Sequence, residues 1–152
     1  MQPRRASLID RDKVVRRGWV PMRSAELEAR RRAAAIASRM FLACCRSFLV
    51  GYNRRKNIAR VLPEMLLIMA IRENDVRGRP PISANKIAKK TGVPRANVRR
   101  GLTYLIKHGI IEVEGKGYVG VDSFLEERLR APYFQHVIAA IRAAAHMLEN
   151  YK

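Results

Sequence analysis

One stretch of the sequence concentrates positive charge with no acid to offset it. From Arg77 through Ile111 there is no Asp or Glu. The basic residues of this stretch are Arg77, Arg79, Lys86, Lys89, Lys90, Arg95, Arg99, Arg100 and Lys107. Arginine and lysine bind phosphate oxygens, and arginine and asparagine also pair with base edges. The stretch therefore predicts a surface for a polyanion.

The whole chain shares this bias. Its 152 residues carry 31 basic and 13 acidic side chains, a net charge of +18 at pH 7. Such a charge repels itself unless a partner supplies counter-charge, as a nucleic-acid backbone does. Anionic membrane is the other candidate surface. We expect no spanning helix, since the longest candidate, Ile58 to Ile71, is interrupted by Arg60, Pro63 and Glu64.

The elements that must position the basic side chains can be read from caps and spacing. Ser83 can cap a short helix, and Gly92 permits the tight turn that ends it. A second helix, 94–108, follows Pro94, and its Val98, Leu102 and Leu105 recur at the spacing of a buried stripe. This order predicts a helix-turn-helix, with Gly101 allowing close approach of another helix or of a phosphate backbone.

A β-hairpin follows the second helix. Gly109 ends that helix, and Gly115 and Gly117 flank Lys116 at the tip of the hairpin. Residues 111–121 therefore predict a wing whose tip touches the DNA backbone, with Ile82 as a short strand at its edge. The pattern is that of a winged helix-turn-helix.

Helix 94–108 is the candidate reader of the major groove. Arg95 or Arg99 could pair with guanine and Asn97 with adenine. Arg100 and Lys116 lie where a phosphate contact is expected. The predicted DNA-binding residues are Lys86, Lys89, Lys90, Arg95, Ala96, Asn97, Arg99, Arg100, Thr103, Tyr104 and Lys116.

Helices are expected on both sides of this unit. The first begins with Ser24 as its cap and ends near Gly51. On the other side, a capping box of Ser123 and Glu126 opens a helix on Phe124, Ala131 and Pro132 interrupt it, and the last helix runs from Pro132 to about Tyr151. A further helix, from about Ile58 to Asn74, starts or kinks at Pro63 and supplies the core of the DNA-binding unit through Met65, Leu66, Ile68, Met69 and Ile71.

The two flanking helices carry apolar faces that a winged domain does not need, and a second copy of the chain is the economical cover. The predicted homodimer interface is Ile36, Met40, Phe41, Phe48, Phe134, Ile138, Ile141, Ala145 and Leu148.

The expected fold class is mainly α with a small β-hairpin wing. Its divisions are a basic N-terminal arm (1–21), an N-terminal dimerisation helix (22–57), a winged-helix DNA-binding domain (58–122) and C-terminal dimerisation helices (123–152). The arm either is solvated or reaches phosphates, a minor groove or the partner subunit.

Other chemistry is not expected. The adjacent Cys44 and Cys45 are interpreted as small buried residues, with a redox sensor, its thiol activated by Arg46, as the alternative. The three histidines have no partner at metal-ligand spacing, and no nucleophile–base or carboxylate pair is evident. We therefore expect no enzyme activity, metal or cofactor.

The segment TGVPRANVRRGLTYLIKHGIIEVEGKGY resembles the winged-helix core of bacterial transcription regulators of the MarR-like and related families. The resemblance lies in the order Val93, Val98, Leu102, Leu105, Gly109, Ile110 and Ile111, with Arg100 at the usual helix arginine, and covers about 60 residues from Pro63 to Val121. It implies an intertwined dimer and is compatible with a small-molecule effector. The basic arm, the short wing and Pro94 depart from the family pattern.

Three functions remain open at this point. The leading hypothesis is a sequence-specific regulator of transcription, a repressor, in the bacterial cytoplasm on the nucleoid. The charge of +18 also suits an architectural DNA-binding protein. A plasmid or phage replication or partition protein is the third.

Overall fold

The computed structural model describes residues 23–51 and 57–150. The predicted basic arm, 1–21, lies outside these residues, as do positions 52–56 and the expected helix end at Tyr151. The elements in chain order are α1 (Ser24–Gly51), α2 (Ile58–Val76), α3 (Ala84–Thr91), α4 (Arg95–Lys107), β1 (Ile111–Glu114), β2 (Gly117–Gly120), α5 (Asp122–Arg130) and α6 (Pro132–Glu149). The expected fold class, mainly α with a hairpin wing between long flanking helices, is confirmed.

Helix α1 is long because nothing in its sequence stops it. Its 28 residues contain no Pro, and its only Gly is the last residue. At 1.5 Å per residue it spans about 42 Å. Ion pairs one turn apart, Glu26 with Arg30 at 3.0 Å and Glu28 with Arg32 at 3.2 Å, support its exposed first turns. Ser24 is the first helical residue rather than the predicted cap, a shift of one position.

Helix α6 packs along α1. Cys44 of α1 and Val137 and Ala144 of α6 are buried, whereas the first turns of α1 are exposed. Small residues at the contact let the two helix axes approach closely. Pro132 begins α6, where its missing N–H costs no hydrogen bond. The two flanking helices therefore cover part of each other's apolar surface within one chain.

Helix α2 supplies the centre of the DNA-binding unit. Asn57 caps it, its Oδ1 accepting from the Ala59 N–H at 2.9 Å, so the predicted alternative of a start at Pro63 is wrong and the helix runs through the proline. The core cluster of the chain is Leu67, Ala70, Ile71, Ile82, Ile87, Val93, Val98, Leu102, Leu105, Ile110 and Ile111.

The core prediction for α2 was partly wrong. Met65 and Ile71 are buried, and Leu66 and Ile68 pack partly buried against the core, but Met69 is 39% exposed. Met69 lies on the side of α2 that faces α5 and α6. The position at the centre of the core is Leu67, which the sequence reading missed.

The wing is a two-stranded antiparallel sheet. Ile111 pairs with Gly120 and Glu114 with Gly117, which leaves a two-residue loop. Gly115 takes φ 58° at the first loop position, where glycine is favoured. Ile82 forms a bridge with Tyr118, as predicted, with N–H to O distances of 3.2 and 3.0 Å.

The end of α2 fixes the wing in place. The buried Asn74 side chain donates through Nδ2 to the Pro80 carbonyl at 2.9 Å, which holds the loop before Ile82. Asp75 Oδ2 accepts from the Gly120 N–H at 2.8 Å. Asn74 therefore holds the loop that leads to Ile82 at one edge of the small sheet, and Asp75 holds the end of β2.

Helix α5 begins at Asp122, two residues earlier than the predicted start at Phe124. Val121 is its cap residue and makes no side-chain hydrogen bond, while Ser123 lies inside the helix. The predicted capping box of Ser123 and Glu126 is therefore wrong. The break at Ala131 and Pro132 is confirmed, because α5 ends at Arg130 and α6 begins at Pro132.

The flanking helices meet the DNA-binding unit at a small cavity of about 120 Å³ between α1, α2, α5 and α6. Arg128 Nη1 donates to the Gly51 carbonyl at 3.0 Å, and its guanidinium lies 4.9 Å from the centre of the Phe124 ring. A Cβ on Gly51 would lie 2.8 Å from the Tyr133 ring. Burial raises the pKa of Tyr133, and the charges of Arg128 and Arg72 oppose that rise. The junction is closely packed.

The cysteine environment favours the structural interpretation over a redox sensor. Cys44 is buried and Cys45 half-buried, and both are free thiols. Burial, and secondarily the neighbouring Cys45, raises the pKa of the Cys44 thiol. A raised pKa reduces the thiolate fraction, which is the opposite of what a sensor needs.

The expectation that no segment could span a membrane was incomplete. Among the described residues, helix α1 is long and apolar enough by length and composition alone. One such helix is weak evidence for a membrane span, because the core helix of a soluble protein passes the same test. Arg39 and Arg46 interrupt its apolar run.

The contact between the wing and the loop before Ile82 gives a stability prediction. A Cβ at Gly117 would lie 2.4 Å from the Pro81 carbonyl oxygen, a backbone atom that cannot move without breaking the Ile82 bridge. We expect Gly117→Ala to lower the free energy of unfolding by about 1–3 kcal/mol, measured by urea denaturation. Gly120→Ala is the control, because its Cβ would meet only a side-chain oxygen at 3.3 Å. Equal effects of the two variants would contradict the packing argument.

Candidate nucleic-acid interface

Helix α3 and the turn after it are fixed by local hydrogen bonds. Ser83 Oγ accepts from the Lys86 N–H at 3.4 Å, which confirms the predicted cap. Gly92 ends the helix at φ 73°, as its position predicted. Thr91 Oγ1 donates to the Ile87 carbonyl at 2.8 Å and accepts from the Val93 N–H at 3.2 Å. The turn therefore sets the direction in which the next helix leaves.

Helix α4 begins at Arg95, and Pro94 is its cap residue rather than its first helical residue. The Asn97 and Val98 N–H groups donate to the Pro94 carbonyl at 2.8 and 2.9 Å. Val98, Leu102 and Leu105 are buried, which confirms the predicted stripe. Burying this face leaves the opposite one in solvent.

Gly101 permits a close helix contact, which was one of the two predicted reasons for it. A Cβ at Gly101 would lie 2.6 Å from Cδ1 of Leu67, itself fully buried on α2. The second reason, approach to a phosphate, does not apply to the Gly101 Cα, because this residue is buried against α2. The glycine thus sets how near α4 lies to α2.

The predicted DNA-binding residues lie on α3, α4 and the wing tip. All are exposed except Tyr104, which is half-buried. They are Lys86, Lys89 and Lys90 on α3, Arg95, Ala96, Asn97, Arg99, Arg100, Thr103 and Tyr104 on α4, and Lys116 at the wing tip.

Side-chain hydrogen bonds connect some of the exposed residues of α4 to one another. Arg100 Nη2 donates to Asn97 Oδ1, joining the two side chains one turn apart. Thr103 Oγ1 donates to the Arg99 carbonyl at 3.0 Å. The Tyr104 ring lies 3.9 Å from the ring of His108, centre to centre. Asn97 and Arg100 therefore act together, whereas the guanidinium of Arg99 projects from a different part of the helix surface.

An acidic residue outside the basic stretch reaches into it. Glu73 of α2 pairs with Arg77 at 2.7 Å and with Lys90 of α3. Glu73 was not among the residues predicted from the sequence, because it lies four positions before the acid-free stretch begins. An acid one helical turn before Arg77 is the signal that could have found it.

The wing carries more negative than positive side chains. Glu112 and Glu114 on β1 are as exposed as Lys116 at the tip. Two carboxylates against one ammonium weaken the attraction of the wing for a phosphate backbone. Any wing contact through Lys116 is therefore confined to the tip.

Among residues 23–51 and 57–150, no group of three His, Cys, Asp or Glu side chains is placed to hold a metal ion.

Residues 77–115 match the model of the IclR helix-turn-helix domain. The chain carries a winged helix-turn-helix of the DNA-binding kind found in transcription regulators. The match covers the loop before Ile82, α3, α4 and the first strand of the hairpin, and it ends before Lys116 and β2. It is an IclR-type match, so the MarR-like arrangement stays a prediction. No curated protein and no solved structure matches the chain.

The family match is to a DNA-binding domain rather than a catalytic one. Double-stranded DNA is therefore the partner of this domain, and the chain is a DNA-binding transcription regulator.

The Glu73 ion pairs give a prediction about affinity. Removing this carboxylate frees Arg77 and Lys90 for phosphates, so we expect Glu73→Gln to tighten duplex binding by about 2- to 10-fold at low salt, and by less as salt rises. Fluorescence anisotropy across a salt series measures this.

Glu126→Gln is the matched control for that experiment. It removes the same charge from α5, where Glu126 lies 3.8 Å from Arg130 and away from the basic surface. If both variants tighten binding equally, net charge rather than the released cations is responsible.

Proposed function

We propose that this protein is a sequence-specific regulator of transcription, a repressor, that binds double-stranded DNA as a homodimer. The observation that carries the proposal is the exposed face of α4, whose charged side chains are all basic and which is held in a helix-turn-helix frame. In this proposal residues 58–122 bind DNA and the helices of 22–57 and 123–152 form the dimer. The cytoplasm is where such a protein meets its DNA.

The major groove, about 12 Å wide, admits one α-helix, and α4 is the helix that fits this role. Arg95 and Arg99 are exposed in the first turns of α4, and a guanidinium can pair with the O6 and N7 atoms of guanine. The lysines of α3 are placed for phosphates, which position the protein without reading sequence.

The dimer is supported by apolar surface that the chain leaves uncovered. We call the exposed residues Phe41, Leu42, Ile141, Ala145 and Leu148 the outer apolar face of α1 and α6. Phe41 is 56% exposed, and Ile141 and Leu148 are each 44% exposed. Exposed apolar side chains collected on two adjacent helices are typical of a protein–protein interface.

The predicted interface residues fall into two groups. Ile36, Met40, Phe48, Phe134 and Ile138 are half-buried within the chain, so they are partly used by internal packing. Phe41, Ile141, Ala145 and Leu148 belong to the outer apolar face. The second group is the better candidate for contact with a second copy, because its burial requires one.

A two-fold dimer sets its recognition helices about 34 Å apart, one turn of DNA. Such a dimer binds a palindromic site and blocks that DNA to other proteins. Repression by occlusion therefore needs nothing beyond the dimer itself. A small-molecule effector would add regulation to this mode.

A second candidate is an architectural protein that binds any duplex. The charge of +18 favours it, since non-specific binding is electrostatic. Selection of bound duplexes from a random pool, followed by competition with a scrambled duplex, separates the two functions. A scrambled duplex that competes as well as the selected one would overturn the proposed sequence specificity.

The base-reading role of α4 gives a mutational prediction. We expect Arg99→Ala to lose about 1–3 kcal/mol of preference at one base pair of the selected site, measured by binding to all single-base variants of that site. Lys89→Ala is the comparison, because a phosphate contact weakens binding to every variant alike. Uniform weakening by Arg99→Ala would show that this residue contacts phosphate instead.

The outer apolar face gives a prediction about assembly. Ile141 is exposed in the single chain, so Ile141→Asp should leave the fold intact while placing a charge in the dimer interface. We expect sedimentation velocity to show a shift from dimer to monomer. Val76→Asp is the control, since Val76 is 80% exposed at the end of α2, away from α1 and α6. If Ile141→Asp remains a soluble dimer, α6 is not part of the dimer interface.

A further inference from the structure

A cleft of about 460 Å³ opens beside the recognition helix, between α4 and the first turns of α2. Arg60 lines it from α2, and Asn97, Arg100 and Tyr104 line it from α4. Arg60 and Arg100 are both exposed, so two guanidinium groups border the same open space. The sequence reading placed Asn97 and Arg100 on the DNA surface but did not include Arg60.

The chemistry of the cleft favours an anion. Two guanidinium groups supply only hydrogen-bond donors, and the amide and phenol groups beside them supply more. Glu64 also lines the cleft, but it is only 8% exposed. The charges that face solvent there are therefore positive.

The bond between Arg100 and Asn97 orients the Asn97 amide. An asparagine that reads adenine must accept from N6 through Oδ1 while it donates to N7 through Nδ2. Here Oδ1 already accepts from Arg100 Nη2. This bond occupies one of the two lone pairs of Oδ1 and turns that oxygen toward Arg100, whereas Nδ2 and the other N–H groups of Arg100 stay available as donors for phosphate oxygens.

The packing of α4 supports the same conclusion. Gly101 lies against Leu67 of α2, so the side of α4 that carries Asn97 and Tyr104 is turned toward α2. A recognition helix inserted in the major groove places such a side next to the sugar-phosphate backbone that borders the groove. Arg99 is outside this cleft and stays available to base edges.

We propose that Arg60, Arg100 and Asn97 form a clamp for the phosphate backbone of duplex DNA beside the recognition helix. The clamp rests on the proposed function, because it assumes that α4 enters the major groove. It assigns Asn97 to positioning rather than to reading, and it adds α2 to the elements that contact DNA.

The test measures the DNA affinity of full-length Arg60→Ala and wild-type protein, on the selected duplex and on a scrambled duplex, over a salt series. We expect both affinities to fall by the same factor, about 3- to 10-fold, and the slope of log K against log salt to decrease by about 1. Arg60→Lys should restore most of the slope, since it keeps the charge. Asn97→Ala should also weaken binding to every single-base variant alike.

Arg142→Ala is the matched control, since it removes the same charge from an exposed position on α6. The clamp is overturned if Arg60→Ala changes affinity and slope no more than Arg142→Ala does. It is also overturned if Asn97→Ala loses preference at a single base pair. A wild-type protein that does not prefer the selected duplex would instead overturn the sequence-specific regulator, and the Arg60 slope would still report on the clamp.

Discussion

The contact between α4 and α2 at Gly101 and Leu67 is the constraint on which the DNA-binding surface depends. Leu67 is fully buried, and its methyl group occupies the place that a side chain at position 101 would need. Gly in a helix interior costs about 1 kcal/mol against Ala, so the close approach must offset that cost. Because the buried stripe of α4 lies on this side, the contact also determines which residues of α4 reach DNA.

Charge is the second constraint, and the fold distributes it unevenly. The surface of α3 and α4 is basic throughout, but Glu73 neutralises part of it from α2, and two glutamates share the wing with Lys116. Positive charge held within a Debye length of about 8–10 Å repels itself, so a nearby carboxylate stabilises the free protein. The same carboxylate competes with phosphate. The free and bound states are thus balanced through a few identifiable ion pairs.

The sequence predicted what depends on local rules. The cap at Ser83, the turn at Gly92, the stripe of Val98, Leu102 and Leu105, and the bridge at Ile82 follow from side-chain chemistry and spacing, and all are confirmed. The sequence did not predict contacts between distant segments. Leu67 was missed, and so was the pairing of Glu73 with Lys90, because each depends on how α2 is oriented against the helices that follow it. The same limit applied to the cleft that brings Arg60 beside Arg100.

Among the described residues, helix α2 contacts both the DNA-binding unit and the flanking helices. One side holds α4 through Leu67. Its end holds β2 and the loop before Ile82 through Asp75 and Asn74, and its middle borders the cavity shared with α1, α5 and α6. The α1–α6 pair therefore cannot shift against the DNA-binding unit without moving side chains that contact α2. In a dimer, the spacing of the two recognition helices would be set through this helix. A ligand that altered the cavity would change DNA affinity only by as much as it binds one spacing better than another.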